Sequence, residues 1–254
     1  MNALVTGASS GIGREIALIL AERGYHLVLV ARRKAELDDL ASQCRYGATV
    51  IVADLGLPNA AQSLFEEVRR REISVEVLIN NAGFGKVEEH SKIPLEQLES
   101  MNLLNMVTLC SLCRLFGEDM RRRGHGSILN VGSTAAYLAI PHMANYAASK
   151  AYVASFTRAF RFEMAPYGVQ VSLLSPGPTL TEFGKRARDD GKFLQGKPGL
   201  MTAKDVAQAG VDAMFSDIGE VVPGWLNKTL RLTIPFIPTS VVTRLSSMWA
   251  TRDW

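Results

Sequence analysis

Short runs of consecutive apolar residues alternate along the chain with longer segments in which apolar residues recur every three or four positions. The runs are typical of parallel strands covered on both faces, and the recurring spacing is typical of amphipathic helices. The predicted strands are residues 3–6, 26–31, 48–52, 75–79, 127–131, 169–174 and 220–222. The predicted helices are residues 12–24, 34–44, 58–71, 94–123, 145–167 and 203–215.

Strands that are separated by helices of this length form right-handed crossovers. We therefore expect an α/β fold, in which a doubly wound, mostly parallel sheet of about seven strands carries helices on both faces. The chain has 254 residues, of which 47% are hydrophobic. That length and composition suit one Rossmann-type domain covering residues 1–254.

Two segments depart from the alternation. Residues 178–200 contain glycines, two prolines and five basic residues against three acidic ones, and we predict a substrate loop there. Residues 223–254 mix apolar residues with basic ones, and their longest apolar stretch is too short to span a bilayer. For this C-terminal extension we consider a lid, a subunit contact, extra core and an interfacial helix on a membrane. Extra core and a subunit contact are favoured over the membrane.

Composition excludes several classes of function. Basic and acidic residues number 28 and 25, and they are mixed along the chain with a net charge of +3, so no nucleic-acid partner is expected. Neither the three cysteines nor the four histidines have the spacing of metal ligands, so we expect no metal. No signal peptide precedes the first strand, and we expect a cytoplasmic protein.

A glycine-rich turn follows the first predicted strand, at residues 6–13, with the sequence Thr-Gly-Ala-Ser-Ser-Gly-Ile-Gly. Its Gly-x-x-x-Gly-x-Gly spacing differs from that of the common dinucleotide fingerprint. Its position between a strand and an amphipathic helix is nevertheless the position at which backbone amides bind a pyrophosphate. This turn predicts a dinucleotide cofactor.

The end of the second predicted strand favours NADP(H) over NAD(H). NAD-binding sites carry an acidic residue there, about 20 residues beyond the glycines, for the ribose 2′-hydroxyl. This chain has Ala31 followed by Arg32 and Arg33. No carboxylate repels a 2′-phosphate, and guanidinium groups are well suited to bind one.

Ser133, Tyr146 and Lys150 suggest proton-transfer chemistry. Tyr146 and Lys150 are four residues apart in a predicted helix and therefore share one face. An ammonium this close is expected to lower the pKa of the phenol toward the operating pH. Taken alone, the three residues fit an ordinary surface better than a catalytic site.

Together these motifs resemble the short-chain dehydrogenase/reductase family over about residues 2–222, in its single-domain, Tyr-x-x-x-Lys form. Further matching parts are Asp54-Leu55, Asn80-Asn-Ala-Gly83, Asn102 and Ser175-Pro-Gly177 with Thr179 and Thr181. With the glycine-rich turn and the arginines, the resemblance predicts the following cofactor contacts: Gly7, Ser9, Ser10, Gly11, Ile12, Gly13, Arg32, Arg33, Asp54, Leu55, Asn80, Ala82, Gly83, Tyr146, Lys150, Pro176, Gly177, Thr179 and Thr181.

The resemblance also implies the catalytic residues Asn102, Ser133, Tyr146 and Lys150. Tyr146 would donate the proton, Ser133 would orient the carbonyl oxygen, and Lys150 would tune the phenol and bind the nicotinamide ribose. Asn102 would relay protons through a water. The family often has glycine three residues after that asparagine, and this chain has Asn105.

The expected function is an NADP(H)-dependent reduction of a ketone, or the reverse oxidation, on a small hydrophobic molecule. Fatty-acyl 3-oxo, steroid-like and xenobiotic ketones all remain open, and Phe84, Tyr137 and His142 are predicted to contact the substrate. The alternative is a non-catalytic NADP(H)-binding sensor or scaffold. Similarity to the family also implies a homodimer or homotetramer, formed through the helices at 94–123 and 145–167.

Overall fold

The computed structural model describes residues 1–188 and 197–251, so predictions for residues 189–196 and 252–254 lie outside the described part. The strands are β1 (Asn2–Thr6), β2 (His26–Ala31), β3 (Ala48–Val52), β4 (Val77–Asn80), β5 (Gly126–Val131), β6 (Val169–Leu174), β7 (Thr179–Leu180), β8 (Met201–Thr202) and β9 (Glu220–Val221). The helices are α1 (Gly11–Glu22), α2 (Lys34–Ser42), α3 (Ala60–Arg70), α4 (Leu95–Asn102), α5 (Leu109–Arg123), α6 (Ala144–Met164), α7 (Glu182–Ala187), α8 (Ala203–Phe215), α9 (Trp225–Thr233) and α10 (Thr239–Thr251).

Seven of the strands form one parallel sheet in the order β3-β2-β1-β4-β5-β6-β9. The order reverses direction at β1, where the chain crosses from β3 to β4 on the other side. Ligands of open α/β sheets bind at such a switch point, outside the carboxyl ends of the strands. The predicted doubly wound α/β fold is confirmed.

Each face of the sheet carries its own apolar core. One core packs α1, α2 and α8 against residues such as Val5, Leu29 and Ile79. The other packs α3, α5 and α6 against residues such as Leu4 and Val28. Successive strand residues point to opposite faces, so a continuous apolar run such as residues 27–30 supplies both cores at once.

The long helix predicted at 94–123 is divided in the structure. A π-helical segment, Leu103–Thr108, joins α4 to α5. Its two buried polar residues bond to neighbouring loops: Thr108 Oγ1 donates to the carbonyl of Leu55 (2.8 Å), and Asn105 Nδ2 donates to that of Phe84 (2.9 Å). Single π-helical turns are frequent at functional sites, and this one faces the loops that follow β3 and β4.

Within the predicted substrate loop 178–200, the described residues 178–188 and 197–200 contain regular structure. β7 pairs with β8, and α7 lies between them in the chain. Thr181 caps α7, because its Oγ1 accepts a hydrogen bond from the Phe183 amide (3.2 Å). Glu182 and Arg186 form an ion pair one turn apart. Local capping and pairing therefore order this stretch despite its glycines and prolines.

The C-terminal extension forms α9, a 3₁₀ turn and α10, which we call the C-terminal cover (residues 225–251). The two helices bury only the side chains of Asn227, Val242, Ser246 and Ala250. The cover therefore adds little to the core, unlike the extra-core option that the sequence favoured. Across residues 1–188 and 197–251, no helix has the length and apolarity that crossing a bilayer requires.

Candidate active site

The glycine-rich turn lies between the end of β1 and the start of α1, and its glycines are required by the space around them. Gly7 (φ 67°) and Gly11 (φ 57°) have left-handed backbone conformations. A Cβ on Gly13 would lie 2.5 Å from the Gly7 carbonyl oxygen and 2.3 Å from Asn81 Nδ2. The turn is thus folded tightly against the loop after β4, with the N-terminus of α1 directed at the cleft.

Arg33 connects the glycine-rich turn to two other elements. Its Nη2 donates to Ser9 Oγ (3.0 Å), and its Nη1 lies near the carboxylates of Glu36 (3.1 Å) and Glu182 (3.0 Å). Its Nε is buried without a hydrogen-bond partner among the described residues. Arg32 is mostly exposed and lies 3.6 Å from Asp54. Two guanidinium groups therefore lie at the end of β2, and one of them has an unused donor within the described residues.

The two asparagines after β4 have different roles. Asn80 was predicted to line the cofactor cleft, but it is buried and donates to Asn130 Oδ1 (2.9 Å) inside the sheet. Asn81 lines the cleft instead, and its Nδ2 donates to the carbonyls of Thr6 (3.0 Å) and Gly7 (3.2 Å). The prediction for Asn80 is wrong because consecutive residues at a strand end point to opposite sides.

Ser133, Tyr146 and Lys150 come together at the carboxyl end of β5. Ser133 follows that strand, and Tyr146 and Lys150 lie in the first two turns of α6. The Ser133 hydroxyl interacts with the Tyr146 phenol. Lys150 Nζ donates to the carbonyl of Val131 (2.9 Å) and lies 5.8 Å from the centre of the Tyr146 ring. A hydroxyl, a phenol and an amine therefore share one small volume.

Burial controls the protonation of this group. It raises the pKa of Tyr146 to about 12, with a smaller opposing effect from the Ser133 hydroxyl. It also lowers the pKa of Lys150 to about 8. The predicted lowering of the Tyr146 pKa by Lys150 is wrong for this state of the protein, because loss of solvent outweighs the effect of a neighbouring amine. Tyr146 is therefore a protonated phenol at neutral pH, the form that can donate a proton.

The structure separates Asn102 from Asn105. Asn102 does not line the cleft, and its Oδ1 is buried without a partner among the described residues. Asn105 is 1% exposed and donates to Ser149 Oγ (3.1 Å). A Cβ on Gly83 would lie within 3.5 Å of both Asn105 Oδ1 and Lys150 Nζ. Asn105 therefore packs beside Lys150, a position that the sequence did not reveal.

One cavity of about 1160 Å³ joins these groups. Asn80, Gly13 and Asn102 lie outside it. The predicted residues that line it are Gly7, Ser9, Ser10, Gly11, Ile12, Arg32, Arg33, Asp54, Leu55, Ala82, Gly83, Ser133, Tyr146, Lys150, Pro176, Gly177, Thr179 and Thr181.

The residues predicted to contact the substrate are only partly in the cavity. Phe84 lines it, whereas His142 lies in a separate small pocket beside Glu88 and His90. Tyr137 points away and binds Ser175 Oγ (3.0 Å) and the Glu220 carboxylate. The predictions for Tyr137 and His142 are wrong: hydrogen bonds hold Tyr137 against Ser175 and Glu220, and the His142 carbonyl accepts from the Glu88 amide (2.9 Å) outside the cavity.

Glu220 links Tyr137 to the C-terminal cover. Its carboxylate accepts hydrogen bonds from Arg158 on α6 (2.9 Å) and Arg231 on α9 (3.3 Å). Burial alone would raise the pKa of Glu220, but the bonds from Tyr137, Arg231 and Arg158 keep it below its usual value. The negatively charged Glu220 thus connects the turn that contains Tyr137 to α6 and to α9.

The apolar end of the cavity is built from the C-terminal cover and the loop after Ser133. Phe183 of α7 lies against Tyr146, with ring centres 5.3 Å apart. The other apolar residues lining this end are Leu138, Ile140, Met143, Leu226, Leu230, Ile234, Ile237, Val242, Leu245 and Trp249. The sequence indicated only that the tail was apolar, because its residues carry no recognisable motif.

A family model describing short chain dehydrogenases matches residues 1–192. The chain belongs to the short-chain dehydrogenase family. An NAD-dependent glycerol dehydrogenase from Listeria innocua is 32% identical over 186 residues, which are 73% of this chain and 73% of that protein. A very-long-chain 3-oxoacyl-CoA reductase from Podospora anserina is 28% identical over 244 residues, 91% of this chain and 70% of that protein.

A solved structure from the same family resembles this chain closely. It is a short-chain dehydrogenase from Sphingobium yanoikuyae in complex with NADPH, with a TM-score of 0.81 and 29% identity over 94% of this chain and 97% of that one. Of the two relatives described above, one is named a dehydrogenase and the other a reductase. This member of the short-chain dehydrogenase family is an oxidoreductase that interconverts alcohols and carbonyls with a nicotinamide cofactor.

Proposed function

We propose that this short-chain dehydrogenase uses NADP(H) to reduce the ketone of a hydrophobic substrate. The observation that carries the proposal is the shared cavity. It has the glycine-rich turn and two arginines at one end, the Ser133–Tyr146–Lys150 group in the middle, and an apolar lining at the other end. When bound, the cofactor supplies the hydride, and the protein supplies position and electrostatics.

Tyr146 donates the proton that neutralises the developing alkoxide. Its raised pKa keeps the phenol protonated before the reaction. Ser133 donates a hydrogen bond to the same oxygen and so fixes its position and stabilises its charge. Lys150, buried beside the phenol, binds the nicotinamide ribose. We assign the proton relay through a water to Asn102 on the family resemblance; its buried Oδ1 has no partner among the described residues, and it lies outside the cavity.

Arg32 and Arg33 support the preference for NADP(H). Charge-assisted hydrogen bonds to a phosphate are strong, and the buried Arg33 Nε is an unused donor within the described residues. The Arg32–Asp54 contact is exposed and long, so it holds Arg32 weakly. Arg32 can therefore turn toward a 2′-phosphate, whereas Arg33 stays held by Ser9 and two carboxylates and offers only its Nε as a donor.

The cofactor preference is tested by dissociation constants for NADPH and NADH. We expect tighter binding of NADPH, and Arg32→Asp is expected to weaken it roughly 10- to 100-fold while NADH binding changes little. Arg45→Asp, an exposed arginine next to β3, is the matched control. Tighter binding of NADH by the parent protein would contradict the preference.

The chemistry is tested by Tyr146→Phe, with NADPH oxidation followed against a panel of ketones. The variant is expected to bind NADPH normally and to lose turnover, because only the donated proton is removed. Tyr152→Phe, on the same helix and partly exposed, should keep parent activity. Parent-like turnover by Tyr146→Phe would exclude the mechanism and would reopen the non-catalytic sensor or scaffold as an alternative.

The substrate, the oligomeric state and the cellular location stay predictions. The apolar lining agrees with a fatty-acyl 3-oxo, steroid-like or xenobiotic ketone. A homodimer or homotetramer through α4, α5 and α6 agrees with the stacked aromatic rings of Tyr152, Phe156 and Phe160 along α6. The cytoplasmic location rests on the sequence alone.

A further inference from the structure

Both sides of the C-terminal cover are apolar. Its inner side lines the cavity with residues such as Leu226, Leu230 and Trp249. Its outer side exposes a second set, none of which lines the cavity: Trp225, Leu232, Phe236, Val241 and Met248. A helix that is apolar on both sides requires an apolar partner on each. The cavity lining accounts for the inner set only.

The outer side is continuous with the opening of the cavity. Leu230, Ile237 and Leu245 line the cavity and are also exposed, by 44%, 39% and 58%. Phe236, directly before Ile237, lies outside the cavity and is 88% exposed. The mouth between α9 and α10 is therefore rimmed by apolar side chains that lead onto the outer surface. The exposed lining residues of the cover therefore connect the cavity to the outer apolar surface.

The charge on this surface has one sign. Residues 223–251 contain no aspartate or glutamate, and three basic residues, Lys228, Arg231 and Arg244, lie among them. Glu220 binds Arg231, whereas Lys228 and Arg244 are exposed and lie near no carboxylate of the described residues. An apolar surface with unneutralised basic side chains complements an anionic lipid headgroup layer.

A second copy of the chain fits this surface less well. Closed dimers pair the same patch on both subunits. Such pairing would bring Lys228 and Arg244 of one copy near those of the other, with no acidic residue of residues 223–251 to offset them. Like charges placed together oppose association. The charge pattern therefore favours a lipid surface over self-association through this face.

We propose that the outer side of the C-terminal cover docks on an anionic bilayer surface, so that an apolar ketone enters the cavity from the lipid between α9 and α10. The docking rests on the exposed apolar surface and its charge. The identity of the lipid-borne molecule as a ketone rests on the proposed function.

Co-sedimentation of the full chain with vesicles tests the docking. Binding is expected with phosphatidylcholine mixed with phosphatidylglycerol, and it should weaken with phosphatidylcholine alone or at high salt. Leu232→Ser combined with Phe236→Ser should weaken binding at least roughly tenfold, because two exposed apolar side chains are lost. Lys228→Gln combined with Arg244→Gln should weaken it roughly fivefold for each charge.

Matched controls use residues elsewhere on the surface. Leu57 is 58% exposed, close to the 54% of Leu232, and Leu57→Ser should bind vesicles like the parent. Lys204→Gln on α8 is the control for charge. The docking is overturned when the parent chain stays in the supernatant with mixed vesicles, or when Leu57→Ser weakens binding as much as the Leu232 and Phe236 pair.

Sedimentation velocity and turnover measurements distinguish membrane docking from self-association and from failure of the proposed function. Sedimentation velocity without vesicles should give the same oligomeric state for the parent and the Leu232→Ser, Phe236→Ser variant. A change in that state would show that a second copy covers this face, which overturns the proposal. The variant should reduce a water-soluble ketone at the parent rate and a vesicle-borne, long-chain ketone more slowly. Absence of turnover on every ketone would refute the proposed function, while vesicle binding would still be tested by sedimentation.

Discussion

Two regions line the same cavity and differ in how firmly they are held. At the carboxyl ends of the strands, the buried hydroxyl of Thr6 donates to the carbonyl of Ile79 (3.1 Å) and accepts from the amides of Asn81 (3.0 Å) and Ala82 (3.1 Å). The C-terminal cover, in contrast, is joined to the body by a few polar anchors such as Asn227 and Arg231. The strand ends that carry the proposed catalytic residues thus form a rigid frame. The apolar end of the cavity is lined by the C-terminal cover, which is attached more loosely.

This contrast matches the extent of the family resemblance. The family model ends at residue 192, before the C-terminal cover begins. Chemistry shared by a family requires fixed positions, whereas specificity can change through surface elements positioned on a rigid scaffold. Substitutions in the first region are therefore expected to affect stability and cofactor binding together. Substitutions in the cover are expected to leave global stability and cofactor binding unchanged.

Gly13→Ala should have the largest effect. Its new Cβ would meet a backbone oxygen and the Asn81 amide at 2.5 Å or less, so the turn must shift and lose the Asn81 hydrogen bonds. We expect a loss of roughly 3–5 kcal/mol in the free energy of unfolding, measured with urea, and a loss of NADPH binding. Gly219→Ala, which meets only the flexible side chain of Arg161, is the control. Equal effects of the two substitutions would show that the glycine-rich turn is not held more rigidly than the rest of the fold.

Lys150→Met should abolish turnover and stabilise the cofactor-free protein. Burial lowers the pKa of Lys150 from 10.5 to about 8, so the folded state loses this proton before the unfolded state does. For Lys150, unfolding therefore takes up a proton between these pH values, and the contribution of this group to stability rises with pH across that window. Removing the amine should add up to roughly 3 kcal/mol at pH 7.

The measurement is urea unfolding of the parent and of Lys150→Met from pH 7 to pH 10. The stability difference should shrink as pH rises above about 8. Above pH 10 the raised pKa of Tyr146 acts in the opposite direction, because the unfolded phenol ionises first. Lys204→Met, at an exposed site, should show no such pH dependence. A stability difference between the parent and Lys150→Met that does not change with pH would show that the pKa of Lys150 is not lowered.

The sequence predicted a doubly wound parallel sheet and its strands because each buried strand requires apolar residues on both faces. Most of the site residues that it predicted line the cavity, since glycine-rich turns and charged groups leave clear signals. It assigned Asn80 rather than Asn81 to the cleft, because the sequence does not show which of two adjacent asparagine side chains points toward it. The π-helical segment that buries Asn105 depends on contacts with Phe84 and Ser149, which are distant in sequence. No local pattern carries that information.

The C-terminal cover was the least predictable part. A tail that is apolar on two sides has the same composition as extra core, and only the structure separates its lining from its exposed surface. The roles of Tyr137 and Glu220 were hidden for a similar reason. Their contact joins residues 83 positions apart.

Asn227→Ala should loosen the cover. Asn227 is buried against Gly177, and its Nδ2 donates to the carbonyls of Pro223 (3.0 Å) and Gly199 (3.2 Å). Losing these bonds costs about 1–2 kcal/mol locally. Hydrogen exchange of α9 should speed up and KM for a hydrophobic ketone should rise, while global stability changes little. Thr229→Ala, exposed on the same helix, is the control, and a large loss of global stability would place the cover in the core after all.

Arg231→Gln should have the smallest effect. Arg231 is one of three partners of Glu220, and Arg158 and Tyr137 remain to hold that carboxylate. A partly exposed ion pair contributes up to about 1 kcal/mol, so α9 should show a modest rise in hydrogen exchange with unchanged NADPH binding. Arg122→Gln, which removes an exposed pair with Glu118 on α5, should leave exchange in α9 unaltered. If Arg231→Gln weakened NADPH binding, the cover and the rigid frame would be coupled through Glu220, and the two regions would have to be treated as one.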